Sequence, residues 1–209
     1  MATIASLALN SCGQSPQNNT QSEVIEPKAK ILVVVDVQRD FFDPSGSLYV
    51  SGSETLPDKI AAVAKNYDAV VFTLDWHPAD HCSFSARGGM WPSHCVAFTQ
   101  GSGIADAFAP VLARGEKDVQ LFLKGQDRDK EQYGAFETLE NEVIREWFAN
   151  CERVDVCGIA GDYCVKESTG CLLNYVPAEK VGILVDCVCS IDDGSALEAF
   201  IREKGLARR

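Results

Sequence analysis

Five short apolar runs along the chain have the length and composition of buried β-strands. The first of them, residues 30–37, is a nearly continuous run of β-branched residues, which is typical of a strand covered on both faces. The runs are residues 30–37, 69–74, 119–124, 154–157 and 181–186. Helical periodicity predicts helices between and after them, with Asp192 as the expected N-cap of the last. The predicted helices are residues 56–66, 139–150, 166–173 and 193–203, and residues 105–112 are expected to form a helical turn.

Alternating strands and helices predict an α/β fold, here a single-domain three-layer sandwich with a mostly parallel sheet and helices on both faces. We assign residues 29–209 to this domain. Residues 1–28, rich in Gln, Asn and Ser in their second half, are expected to form a flexible tail. Residues 76–103 form a long stretch without periodicity, which in a compact domain usually has a function.

Composition narrows the class of protein. The chain has 209 residues, and its formal net charge of −11 argues against nucleic acid or an anionic membrane as a partner. Nine cysteines, several inside apolar runs, indicate reduced thiols rather than a disulfide framework. The N-terminus lacks the basic segment and long apolar core of an export signal. We therefore expect a cytoplasmic protein.

Reactive side chains lie at the carboxyl ends of four predicted strands: Asp36, Asp75, Lys124 and Cys164. The carboxyl ends of parallel strands share one edge of a sheet, so these groups should lie together. The ammonium and the start of the following helix are expected to lower the pKa of the thiol, and a carboxylate can take its proton. The alternative is a structural ion pair between Asp and Lys with an inert buried thiol.

A second cluster indicates a metal site in the long loop. The loop contains all three histidines of the chain: His77, His81 and His94. Together with Asp75 they offer oxygen and nitrogen ligands that suit Zn²⁺, Mn²⁺ or Fe²⁺. Which two histidines bind is left open by the spacing. A thiolate zinc site at Cys82 and Cys95 is the rival interpretation.

Together these motifs resemble the nicotinamidases, within the isochorismatase-like cysteine hydrolase superfamily. The likeness covers residues 31 to the last helix and rests on segments in the family's order. They are 36–41 (DVQRDF), 75–81 (DWHPADH), 91–95 (WPSHC), Lys124 and 158–165 (GIAGDYCV). The resemblance implies a hydrolase of a linear amide C–N bond that converts nicotinamide to nicotinate and ammonia in NAD salvage.

The resemblance also implies a role for each matched residue. Cys164 is the expected nucleophile, Asp36 the proton acceptor and donor, and Lys124 the cation that holds both. The expected ligands of one divalent metal ion, zinc first, are Asp75, His77 and His94. His81 matches a histidine that is a ligand in some members and lies behind the ligands in others.

Further expectations concern the substrate pocket. By resemblance the 159–160 peptide bond is cis, and the N–H groups of Ala160 and Cys164 form the oxyanion hole. The pyridine ring is expected between Phe41 and Trp91, with Tyr133 as a third wall. Pyrazinamide is a second expected substrate, and a homo-oligomer is left open. One alternative is a related hydrolase of the same superfamily that acts on another small substrate, although such relatives lack the Asp/His/His set. The other alternative is a non-enzymatic metal- or thiol-binding protein.

Overall fold

Six parallel strands form one central sheet in the computed structural model, which describes residues 25–209. The strands are β1 (Lys30–Val35), β2 (Ala69–Asp75), β3 (Val119–Lys124), β4 (Arg153–Ile159), β5 (Val181–Cys189) and β6 (Ala207–Arg208). Their order across the sheet is β3-β2-β1-β4-β5-β6, and every pair is parallel. Most of the expected tail, residues 1–24, lies outside the described residues. Lys28, the last residue of the expected tail, forms an ion pair with the domain, with Nζ 2.7 Å from Asp118 Oδ1.

Six α-helices and several tighter turns connect these strands. The helices are α1 (Arg39–Phe42), α2 (Leu56–Val63), α3 (Ala109–Leu112), α4 (Glu142–Asn150), α5 (Lys166–Leu172) and α6 (Ser195–Lys204). The 3₁₀ turns are Ala64–Asn66, Ser85–Arg87, Asp106–Phe108 and Ala178–Lys180, and Gly161–Val165 is a π-helical turn. Among residues 25–209, no helix has the length and apolar character needed to cross a bilayer.

The central strand β1 separates two hydrophobic cores. Its residues alternate between the faces, so that Ile31, Val33 and Val35 join one core and Leu32 and Val34 the other. Helices α4, α5 and α6 cover the first core, and α2 and α3 cover the second. Because β1 is covered on both faces, its apolar residues are fully buried. The predicted three-layer α/β sandwich is confirmed.

The differences from the predicted elements are local. β6 was not predicted, because its two residues carry no apolar pattern and join the sheet through backbone bonds beside β5. The prediction of Asp192 as a helix cap is wrong. Helix α6 starts after Gly194, which has a φ of 76° and makes no side-chain cap. Asp193 instead accepts a hydrogen bond from the Ser195 N–H at 2.9 Å.

Candidate active site

The four predicted strand-end groups meet at one edge of the sheet because β3, β2, β1 and β4 are neighbours. Asp75 and Lys124 are direct register partners at the ends of β2 and β3. Lys124 Nζ lies 2.5 Å from Asp75 Oδ1 and 2.8 Å from Asp36 Oδ2. It also lies 3.5 Å from the Cys164 sulfur. The expected juxtaposition of acid, cation and thiol is therefore present.

The ionisation of this cluster follows from its burial and mutual charges. Burial opposes the charge of Lys124, but Asp36 and Asp75 hold the pKa of that amine well above its ordinary value. Burial raises the pKa of Asp36, and Lys124 offsets this only in part. For Asp75 the balance is reversed, because Lys124 and His77 outweigh burial and lower its pKa. A carboxyl group with a raised pKa is the better proton acceptor of the two.

Cys164 lies in the π-helical turn between β4 and α5. This turn follows the 159–160 peptide bond, which is cis, as the resemblance implied. The prediction that the pKa of the Cys164 thiol is lowered is wrong for the protein without a metal ion. Burial raises the pKa of Cys164, the nearby carboxylates of Asp36 and Asp75 raise it further, and Lys124 only partly offsets them. The thiol therefore needs a proton acceptor. One carboxylate oxygen each of Asp36 and Asp75 and the sulfur of Cys164 lie within 4.8 Å of one another.

Asp75, His77 and His94 bring ligand atoms into one buried cluster, with atoms within 4.8 Å of one another. Asp75 Oδ2 is 3.6 Å from His77 Nε2 and 4.0 Å from His94 Nε2. Two ligand atoms about 2.1 Å from a tetrahedral ion lie about 3.4 Å apart, so only small movements separate these atoms from metal coordination. The donor set fits a divalent ion, which polar nitrogen and oxygen ligands bind well.

Backbone carbonyls fix the orientation of both histidine rings. His77 Nδ1 donates to the Gly125 carbonyl and His94 Nδ1 donates to the Pro92 carbonyl, each at 2.8 Å. In the neutral rings Nε2 is then unprotonated and faces Asp75, as in many metal-binding histidines. Gly125 also leaves room for the imidazole, because a Cβ there would lie 2.3 Å from His77 Cε1.

His81 lies behind this set. Its ring stacks on His77 with centroids 4.2 Å apart. Nε2 donates to the Lys130 carbonyl at 3.0 Å, and Nδ1 is 2.7 Å from the Ser83 hydroxyl. Both nitrogens are thus engaged away from Asp75. The rival site at Cys82 and Cys95 is not formed within residues 25–209, where neither thiol belongs to a group of converging ligand atoms.

A pocket open to solvent connects the thiol with Asp75, His77 and His94. Its lining includes every expected site residue that faces open space: Phe41, Asp75, His77, Trp91, His94, Tyr133, Ala160 and Cys164. Trp91 Nε1 donates to the Tyr133 hydroxyl at 3.0 Å, which holds two aromatic walls together. Asp36 and Lys124 lie below the floor, fully buried.

Sequence reasoning missed three side chains that shape the site. Tyr163 lines the pocket and packs against Trp91 and Tyr133, with ring centroids 5.2 and 5.5 Å away. Gln38 is fully buried and bonds both the N–H and the carbonyl of Asp75 at 2.8 Å. Thr73 donates to Asp36 Oδ1 at 2.7 Å. Gln38 and Tyr163 stand inside quoted motifs, whereas Thr73 is one polar residue in an apolar run.

Comparison with known proteins assigns the chain to a family. The isochorismatase domain matches residues 30–203. The chain belongs to the isochorismatase family. Among family relatives, the nicotinamidase/pyrazinamidase of Mycobacterium tuberculosis is 32% identical over 181 residues, covering 82% of this chain and 92% of the relative. The nicotinamidase of Saccharomyces cerevisiae is 29% identical, covering 84% and 94%.

Solved structures of family members share the fold. PnC1 from L. infantum, solved with nicotinate, superimposes with a TM-score of 0.75 at 30% identity, covering 87% of this chain and 92% of that one. The pyrazinamidase of Pyrococcus horikoshii, solved with zinc, gives 0.73 at 32% identity, covering 86% and 98%. The resemblance stated from the motifs is confirmed. These relatives do not favour the alternatives of a different small substrate or a non-enzymatic protein.

Proposed function

We propose that this protein is a nicotinamidase, a hydrolase that converts nicotinamide and water to nicotinate and ammonia in NAD salvage. The observation that carries the proposal is the pocket itself. It presents a buried thiol, the three proposed metal-ligand side chains and an aromatic lining around one space. Such a lining suits a flat ring that carries one polar group. The nicotinamidases among the relatives support the same substrate.

The proposed reaction starts with proton transfer from Cys164 to Asp36. The sulfur then attacks the amide carbon, and the carbonyl oxygen becomes an oxyanion that accepts hydrogen bonds from the N–H groups of Ala160 and Cys164. Asp36 returns the proton to the departing ammonia. A water molecule that gives its proton to Asp36 hydrolyses the thioester, which releases nicotinate and restores the thiol. Lys124 stabilises the charges of Asp36 and the sulfur throughout.

The aromatic residues hold the ring for this attack. We propose that Phe41 and Trp91 enclose the pyridine ring and that Tyr133 closes a third side, because all three line the pocket next to Cys164. A ring held in this way restricts the amide to a narrow range of approach to the sulfur, which lowers the entropic cost of reaction. Pyrazinamide has the same shape, and we propose it as a second substrate.

Asp75, His77 and His94 are the proposed ligands of one divalent metal ion, with His81 supporting the ring of His77. Zn²⁺ is the proposed ion, although the donor set also suits Mn²⁺ and Fe²⁺. When bound, the ion would supply a Lewis acid that fixes the ring nitrogen of the substrate and adds positive charge beside the thiol. The eight free cysteines of residues 25–209 support the proposed cytoplasmic location.

The test is ammonia release from nicotinamide by the purified protein. Cys164→Ala should fold, bind metal and release no ammonia, whereas Cys171→Ala, which removes a half-buried thiol outside the pocket, should keep wild-type turnover. Chelation should abolish release by the wild type, and Zn²⁺ should restore it. Substantial turnover by Cys164→Ala would disprove the assigned nucleophile. A folded, metal-loaded wild type without activity would disprove the proposed substrate.

A further inference from the structure

Thr73 contacts Asp36 at two points. Its carbonyl accepts a hydrogen bond from the Asp36 N–H at 3.1 Å, and its hydroxyl donates to Asp36 Oδ1 at 2.7 Å. Both residues are fully buried, so water does not compete for these bonds. The chain leaves β1 at Asp36 with a φ of 49°, a conformation that few residues other than glycine adopt. Thr73 therefore holds both the backbone and the carboxylate of Asp36.

The two carboxylate oxygens of Asp36 consequently have different surroundings. Oδ1 is occupied by the Thr73 hydroxyl. Oδ2 makes no hydrogen bond of good geometry within residues 25–209 and lies 2.8 Å from Lys124 Nζ. Lys124 Nζ, which contacts this oxygen, also lies 3.5 Å from the Cys164 sulfur. One oxygen is thus fixed by the scaffold, and the other is left for proton exchange with the thiol.

We propose that Thr73 is a positioning residue that keeps one oxygen of the Asp36 carboxylate turned toward Cys164. The inference rests on the proposed function, in which Asp36 accepts and returns the proton. Because the Thr73 hydroxyl bonds Oδ1, the carboxylate cannot rotate about its side-chain torsion without breaking that bond. General acid–base catalysis depends on such alignment, because proton transfer needs donor and acceptor within hydrogen-bond reach.

Alternatively, Thr73 contributes only to packing. Substitution by valine distinguishes packing from positioning of Asp36. Thr73→Val has nearly the same shape, suits a strand and lacks the hydroxyl. We expect kcat for nicotinamide to fall about 10- to 100-fold with KM within about threefold, because Thr73 does not line the pocket. Thr73→Ser, which keeps the hydroxyl, should recover kcat to within about threefold of wild type.

Thr169→Val is the matched control. Thr169 is also a fully buried threonine, but its hydroxyl donates to the Val165 carbonyl at 2.7 Å within the helical segment. This variant should keep kcat within about twofold of wild type. Equal losses in Thr73→Val and Thr73→Ser, or a Thr73→Val enzyme with wild-type kcat, would overturn the inference.

Crystal structures of the wild type and of Thr73→Val give a readout that does not depend on the substrate. The Asp36 carboxylate should be rotated in the variant, with Oδ2 displaced from its place beside Lys124. An unchanged carboxylate would overturn the positioning role even if turnover fell. If the wild type did not hydrolyse nicotinamide, the proposed function would fail, while this structural comparison would still decide the role of Thr73.

Discussion

Replacing Lys124 with methionine tests whether the buried charges of the site depend on one another. The ammonium is fully buried and contacts two carboxylates at 2.5 and 2.8 Å. At an effective dielectric constant of about 20, each contact corresponds to about 6 kcal/mol of attraction. Most of this offsets the cost of removing three charges from water. Methionine fills a similar volume but leaves Asp36 and Asp75 without their cation.

From the behaviour of buried pairs that lose one partner, we expect the free energy of unfolding to fall by about 3–5 kcal/mol. For a domain of this size the midpoint of thermal unfolding should fall by about 6–20 °C. The measurement is urea and thermal unfolding of chelator-treated protein, so that no metal ion compensates Asp75. Lys130→Met is the control. It removes an exposed lysine that pairs with Glu137 at 2.7 Å, and it should cause no resolvable loss.

A second substitution separates charge from packing. If the loss comes from uncompensated carboxylates, Asp36→Asn combined with Lys124→Met should be more stable than Lys124→Met alone, because one of the two negative charges is gone. A double variant whose loss equals the sum of the single losses would refute the electrostatic reasoning. So would a Lys124→Met protein as stable as the Lys130→Met control.

Two further predictions concern buried hydrogen bonds. Gln38→Glu removes the amide group that donates a hydrogen bond to the Asp75 carbonyl. Metal affinity, measured by competition with a chelator, should therefore fall about 10- to 100-fold. An affinity within twofold of wild type would contradict this prediction. Tyr67→Phe removes the hydroxyl that donates to buried Asp155 at 2.5 Å and should lower the free energy of unfolding by about 1–3 kcal/mol in urea. Tyr175→Phe is its control and should be nearly neutral, since no hydrogen bond of the Tyr175 hydroxyl occurs within the described residues.

The main features of the fold could be predicted because apolar runs identify buried strands. Alternation with helices then requires parallel pairing, which brings Asp75 and Lys124 to one sheet edge. The strand order β3-β2-β1-β4 could not be predicted, since an apolar run does not identify the strands that pair with it. The short strand β6 depends on backbone pairing with β5, and the start of α6 depends on a left-handed Gly194 rather than on the nearby Asp192. These features are set by tertiary contacts.

The reactive residues of the candidate site could also be predicted from the sequence. The residue types predicted Asp36, Lys124 and Cys164 as reactive groups and a metal site among Asp75 and the histidines, whereas the choice of His77 and His94 came from the family resemblance. The residues that orient them could not be predicted. Thr73 has the β-branched shape of any strand residue, and Gln38 is one of several polar residues after β1. Their importance follows from which atoms they bond, and those partners lie 37 positions away in sequence.

The proposed reactivity of Cys164 depends on the charge of the whole buried cluster rather than on its helix alone. Asp36 and Asp75 contribute two negative charges and Lys124 one positive charge. A thiolate formed by loss of the proton to solvent would add more negative charge, so the carboxylates and burial raise the thiol pKa. Transfer of the proton to Asp36 moves charge within the cluster instead of adding it. A divalent ion at Asp75 and the two histidines would remove the excess negative charge, which would give the proposed ligand set a role in thiol chemistry as well as in substrate binding.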